Sequence, residues 1–163
     1  HRAPSLQSQK QRLIDKIENA QPLPKPLKVK ALNTLDEMTD NDKLCHGDFH
    51  PDNVLLTTEG PMIIDWVDAT RGNPLADLAR TSLLLSRGAL PPERPRPVRW
   101  LVSAMRLRFH NLYLQRYREI HPFDDQALAK WRPLIAAARM SENIEEEKAQ
   151  LMAQVEAGLK VTS

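Results

Sequence analysis

Residues Cys45–Trp66, CHGDFHPDNVLLTTEGPMIIDW, constrain the fold more tightly than any other stretch of the chain. His46–Asn53 is too rich in His, Gly, Asp and Pro to form the interior of a helix or a strand, and it reads as a loop. Val54–Thr58 and Met62–Trp66 are short apolar or β-branched runs with the turn signal Glu59-Gly60-Pro61 between them, so the pair predicts a β-hairpin. A fold-back near Glu59-Gly60 sets Val54 roughly opposite Asp65 and Asn53 beside Trp66. Cross-strand neighbours have Cβ atoms about 5 Å apart and diagonals about 7–8 Å apart. Asn53 and Asp65 are therefore expected to meet at one end of the ribbon, where an amide oxygen and a carboxylate together suit a hard cation such as Mg2+. Asp48, five residues before Asn53 on the same loop, can reach that end.

The full spacing is H-G-D-x-H-x-x-N, followed twelve positions later by an Asp that ends an apolar strand. This resembles the catalytic core of the aminoglycoside phosphotransferase family, which are relatives of the protein kinases. The kinase catalytic loop H-R-D-x-x-x-x-N has the same Asp-to-Asn spacing, and the metal-binding Asp follows on the next hairpin strand. Here His46-Gly47-Asp48 stands for His-Arg-Asp, and Ile64-Asp65-Trp66 for Asp-Phe-Gly. Gly72-Asn73-Pro74-Leu75-Ala76-Asp77-Leu78-Ala79 and Ile135-Ala136-Ala137-Ala138-Arg139 extend the likeness downstream.

The resemblance implies an α+β, mostly helical fold: a protein-kinase-like C-terminal lobe whose small β-hairpin carries the catalytic and metal residues. It implies transfer of the γ-phosphate of ATP to a hydroxyl of a small molecule. In that scheme Asp48 accepts or orients the proton of the attacking hydroxyl, and Asn53 and Asp65 hold Mg2+ on the nucleotide phosphates. His46 packs behind the loop, and Asp77 hydrogen-bonds its backbone from below. His50 sits where protein kinases place a Lys and is carried over as a phosphate contact. Trp66-Val67 stands where protein kinases place Phe-Gly, so the kinase type of loop flip is not carried over.

The family's ATP site lies between two lobes. The phosphate-covering loop and strand Lys of the N-terminal lobe have no counterpart here: there are five glycines and no G-x-G-x-x-G or G-K-[ST]. Residues 1–163 are thus expected to be the C-terminal lobe of a longer enzyme, with its own N-terminal lobe as partner and little or no turnover alone. A polycationic acceptor would call for an acidic pocket, for which Asp68, Asp124, Asp125 and Glu142 are the candidates.

A chain of 163 residues is long enough for one domain with a proper core, and 41% apolar with 27% charged residues is ordinary for a globular protein. Aromatic residues make up only 5%, which argues against a stacking platform for single-stranded nucleic acid. The single cysteine, Cys45, excludes an internal disulfide and is expected as a small core residue at a strand end. No run of about 18 apolar residues occurs, so neither a membrane span nor a signal peptide is expected, and a cytoplasmic setting follows. The net charge of +2 is unevenly spread. Residues 41–80 carry three Lys/Arg against seven Asp/Glu, whereas residues 81–120 carry eight Arg against two Glu. The acidic block coincides with the loop and hairpin. The basic block reads as the solvated face of a helix plus a Pro/Arg loop, with no nucleic-acid partner.

Around this centre the periodicity predicts helices. Ser5 caps a helix to Ala20 with Leu6, Leu13, Ile14 and Ile17 on one face. Lys25–Met38 follows, with Val29, Leu32, Leu35 and Met38 inward. After the turn Thr39–Lys43 and the short strand Leu44-Cys45 come the loop and hairpin, then a loop over Asp68–Gly72. Asn73 and Pro74 open a helix to about Ser86 that buries Leu75, Leu78, Ala79, Leu83 and Leu85. Gly88–Pro97, with four prolines, reads as a surface loop. Val98–Glu119 is a long helix with Leu101, Val102, Met105, Phe109, Leu112 and Tyr113 at core spacing, and its His110 is read as structural or solvated. Asp124 or Asp125 caps a helix through Met140 that Pro133 should kink or break. Ser141 or Asn143 starts the last helix, towards Leu159, with Glu145-Glu146-Glu147 in its favourable first turns.

Two other functions remain open at this level. Gly47-Asp48-Phe49-His50 resembles part of a dinuclear phosphoesterase motif, although the separate D-x-H and G-N-H segments such sites need are absent. A non-catalytic kinase-like scaffold could bind a partner through the basic 81–120 surface.

Overall fold

The computed structural model describes residues 6–87 and 95–159. The expected Ser5 cap and most of the expected proline loop lie outside them. Five helices pack into the core. Helix α1 (Gln9–Asn19) is capped by the Ser8 side chain, which accepts from Gln11 N, and buries Leu13 and Ile17. Helix α2 (Lys25–Asp36) carries Pro26 in its first turn and buries Leu27, Ala31 and Leu35. Leu32 and Met38 pack at the edge of the core, but Val29 is exposed, because the inward stripe runs i, i+4, i+8 from Leu27.

Strand β1 (Lys43–Cys45) leads into the loop. The hairpin follows as β2 (Val54–Thr57) and β3 (Gly60–Ile63), shorter than expected. Its register also differs: Val54 pairs with Ile63 and Thr57 with Gly60, so the turn is the two-residue Thr58-Glu59 rather than one centred on Glu59-Gly60. Thr57 Oγ1 accepts from Glu59 N at 3.2 Å and donates to Gly60 O at 2.8 Å, which tightens that turn. The shift is two residues, an even number, so the paired side chains keep their expected face of the ribbon, while Ile64, Asp65 and Trp66, expected in the strand, fall outside it.

Thr70–Gly72, expected as loop, forms strand β4 and pairs antiparallel with β1, Cys45 opposite Thr70. Three residues carry no alternation to read, and the pairing comes from a segment about 25 residues upstream.

Helix α3 (Pro74–Arg87) starts after Asn73, whose side chain accepts from Leu75 N at 2.9 Å. Helix α4 (Arg96–Ile120) has no fully buried residue. Of the side chains expected in the core, Leu101, Met105, Phe109 and Leu112 are exposed, and Tyr113 packs against the core edge. The helix leans mainly on α3, and the inward stripe is Val102, Arg106, His110, Tyr113, Leu114 and Tyr117, not the more apolar one beside it.

Helix α5 (Asp125–Arg139) begins at Asp124, whose carboxylate accepts from Gln126 N and Ala127 N, and it runs through Pro133 without a break. A short 3-10 turn over Met140–Glu142 and a left-handed Asn143 then delay α6 to Glu145–Leu159. Gly158 lets α6 close on α5: a Cβ there would lie 2.6 Å from Pro133 Cβ. Ile17, Leu35, Leu78, Leu128, Leu134 and Val155 are sealed between α1, α2, α3, α5 and α6. Burial of each such side chain contributes about 1.5–3 kcal/mol. No helix among the described residues is long and apolar enough to cross a membrane.

Candidate active site

The polar loop leaves β1 at Cys45, which is fully buried; burial, then the nearby charge of Asp77, pushes its thiol up to about 12. That suits a core residue and not a nucleophile. The next two backbone amides point into the protein and need acceptors. Asp77, in the first turn of α3, supplies both: His46 N–H donates to it at 2.9 Å and Gly47 N–H at 2.7 Å. Burial raises the pKa of Asp77 above 3.8, while these two amides act in the opposite direction.

Gly47 takes φ +83°, and a Cβ there would lie 2.4 Å from the backbone oxygen of Asp68. Only glycine fits this conformation against that neighbour.

His46 is buried and bridges two segments. Its Nδ1 accepts the Asp48 N–H at 3.3 Å, and its Nε2 lies 3.0 Å from Ile64 O. A carbonyl can only accept, so the ring proton is on Nε2. One imidazole thereby ties the residue before Asp65 to the backbone of Asp48. Trp66 packs on the same ring with centroids 4.6 Å apart.

Asn53 closes the loop. Its Nδ2 donates to Asp48 O at 2.9 Å and lies 3.2 Å from His50 Nε2. Because Asp48 O can only accept, the amide nitrogen belongs there, and Oδ1 is the atom turned away. The backbone oxygen of Asn53 accepts Ile64 N–H at 3.0 Å.

Asp65 therefore lies one residue beyond Asn53's partner, off the end of the ladder and not opposite Val54. It is exposed and left-handed, with φ 60° and ψ 61°. Asp is among the few residues that adopt this conformation readily. Hard oxygen donors from an amide and a carboxylate match what Mg2+ takes from proteins, and the fixed orientation of Asn53 leaves its oxygen available. Among the described residues no three His, Cys, Asp or Glu side chains cluster to hold a metal, so the dinuclear alternative has no ligand set there.

The Asp48 side chain is 30% exposed. Its Oδ1 lies 3.4 Å from Arg80 Nη2 and its Oδ2 3.4 Å from His50 Nε2, while His50 Nδ1 lies 3.6 Å from Asp52. Phe49, next along the loop, stacks on Tyr113 of α4 with centroids 5.8 Å apart, and burial raises the Tyr113 phenol's pKa.

The four acidic residues considered for a cationic acceptor all have other work. Asp68 pairs with Arg12, Asp124 caps α5 and Asp125 pairs with Arg118. Glu142 receives Lys16 at 3.4 Å, Arg80 at 2.9 Å, and Arg139. Arg80 is the residue that motif spacing passed over. It lies three positions after Asp77 on α3, and that i, i+3 spacing was the available signal.

A family model described as the phosphotransferase enzyme family matches residues 1–106 of the 163. The match takes in the loop, the hairpin and α3. No curated protein and no solved structure matches the chain.

Proposed function

The chain belongs to the phosphotransferase enzyme family, and on that premise we propose that it provides the catalytic-loop half of an ATP-dependent kinase acting on a small-molecule hydroxyl. One observation carries this proposal. Asp48 is held through its own amide by His46 and through its carbonyl by Asn53, and the amide before it by Asp77, while its carboxylate stays partly open. That is the arrangement a base needs to meet an incoming hydroxyl in one orientation.

In this scheme Asp48 accepts the proton of the acceptor hydroxyl. Asn53 and Asp65 would hold Mg2+, which neutralises charge on the phosphates of ATP. His46, Asn53 and Asp77 keep Asp48 in place, and His50, against its Oδ2, borders the space for the phosphate. The lobe that covers the nucleotide would come from residues outside these helices.

The test is ADP release from MgATP by the full-length protein carrying this chain, over a panel of neutral, anionic and cationic hydroxyl compounds. A phosphorylated product is expected, and Asp48→Asn should lower turnover roughly 10²–10⁴-fold. No product with any acceptor, or an Asp48→Asn protein of unchanged rate, would sink the proposal.

A further inference from the structure

We propose that Arg80 is a positioning residue for Asp48, and that Glu142 sets how closely Arg80 approaches it. This rests on Asp48 being the base.

The Arg80 side chain is only 11% exposed. Its Nε donates to Gly47 O at 3.3 Å, and its Nη2 lies 2.9 Å from Glu142 Oε1 and 3.4 Å from Asp48 Oδ1. One guanidinium thus touches the backbone before Asp48, the Asp48 carboxylate, and a residue 94 positions further along the chain. The guanidinium does this with donors fixed in one plane on separate nitrogens, whereas an ammonium carries its three donors on a single rotating nitrogen.

Glu142 does not act alone. It also receives Lys16 and Arg139, and Arg139 reaches on to Glu147 at 2.8 and 3.1 Å. Burial opposes the charge on Arg139, but Glu147, Glu142 and Asp48 outweigh it and raise its pKa. Charges therefore alternate along Glu147, Arg139, Glu142, Arg80 and Asp48. In a partly buried setting such a set acts as a unit, because stranding one member is costly.

The distances give the set a direction. The shorter contact of Arg80 is with Glu142, so the cation stands off from Asp48. A carboxylate clamped by a close bidentate arginine is a poor base. One with no cation nearby is free to turn. An arginine drawn back by Glu142 orients Asp48 without clamping it. The α5–α6 turn, beyond the region matched by the family model, thereby reaches the reacting group.

The experiment is a pair of double-mutant cycles in the full-length protein. ADP release from MgATP is followed with the acceptor found in the screen, or with water as acceptor. Arg80→Ala should lower kcat about 10- to 100-fold with KM values within about threefold, and tens of millimolar guanidinium should restore part of the rate. On the Asp48→Asn background Arg80→Ala should cost nothing further. Glu142→Gln should also lower kcat, but not once Arg80 is alanine. Arg80→Lys, which keeps the charge, guards against loss of fold and should fall between wild type and alanine.

Melting temperatures of wild type, Arg80→Ala, Asp48→Asn and the double variant form the second cycle, and their losses should be less than additive. Equal kcat losses on both Asp48 backgrounds, or a loss confined to KM, would overturn the positioning role even if melting is coupled. If the wild-type protein releases no ADP, the kinase function fails by itself. The melting cycle then decides for Arg80, with additive losses overturning the contact.

Discussion

Asp77 Oδ1 accepts the backbone N–H of Gly47 at 2.7 Å, so the first turn of α3 holds the polar loop one residue before Asp48. The same carboxylate takes the His46 amide, so one side chain fixes two consecutive backbone donors.

Replacing this acceptor should loosen the loop. Asp77→Asn faces two amide donors with one oxygen, so it should lower stability by about 1–3 kcal/mol, read from denaturant unfolding. The pH dependence has a definite sign. The folded carboxyl binds its proton more tightly than the unfolded one, whose ordinary value is 3.8. The stability advantage of wild type over Asp77→Asn should therefore be largest below 3.8 and shrink as pH rises through the raised folded value. An advantage that grows with pH would contradict this.

Gly47→Ala should be among the worst single-methyl additions in the chain. It combines positive φ with a Cβ 2.4 Å from Asp68 O. A loss of about 1–3 kcal/mol is expected. Gly60→Ala is the contrast: φ is +116°, but nothing lies within 4 Å, so only backbone strain applies. Similar melting temperatures for the two variants would show that the Asp68 backbone moves aside.

His110 predicts an acid-sensitive contact between α3 and α4. Ser82 Oγ lies 2.7 Å from His110 Nε2. Burial lowers the pKa of His110 below 6.5, opposed by the Asn111 side chain and aided by the charge of Arg132. The unfolded chain thus takes the proton first, and the folded chain loses stability as pH falls below 6.5 towards the lowered value. Melting profiles of wild type and His110→Gln should converge as pH drops through that window. Parallel profiles would remove His110 as the cause.

Met105 and Leu134 separate apolar pattern from burial. Met105→Gln on the open face of α4, where Met105 is 63% exposed, should change stability by less than about 0.5 kcal/mol. Leu134→Ala, at a fully buried site, should cost about 2–5 kcal/mol. A Met105→Gln loss of the second size would mean that α4 is covered.

Local patterns in the chain were sufficient for much of this. Asn and Asp caps with helical apolar spacing place α3 and α5, apolar spacing alone places α1, whose cap is Ser8 three residues after the expected one, and an Asp-to-Asn interval of five marks the loop. They were insufficient wherever a neighbour decides. Val29 and Met105 have the spacing of core residues, yet which apolar stripe is covered depends on the element laid against it. Strand β4 exists because β1 is there to pair with.

Residue types along Cys45–Trp66 by themselves determined that this chain carries a polar loop before a hairpin, with Asp48, Asn53 and Asp65 spaced along it, because turn chemistry and strand alternation act over a few residues. The resemblance already implied Asp77 as a support of the loop, but only the folded chain decided which charges face Asp48. Arg80 and Glu142 lie 32 and 94 positions after Asp48, and their contacts arise from packing α3 and the α5–α6 turn around a shared core. Charges that meet across such distances leave no local pattern; their partners are chosen by burial, which makes each unpaired charge too costly to keep.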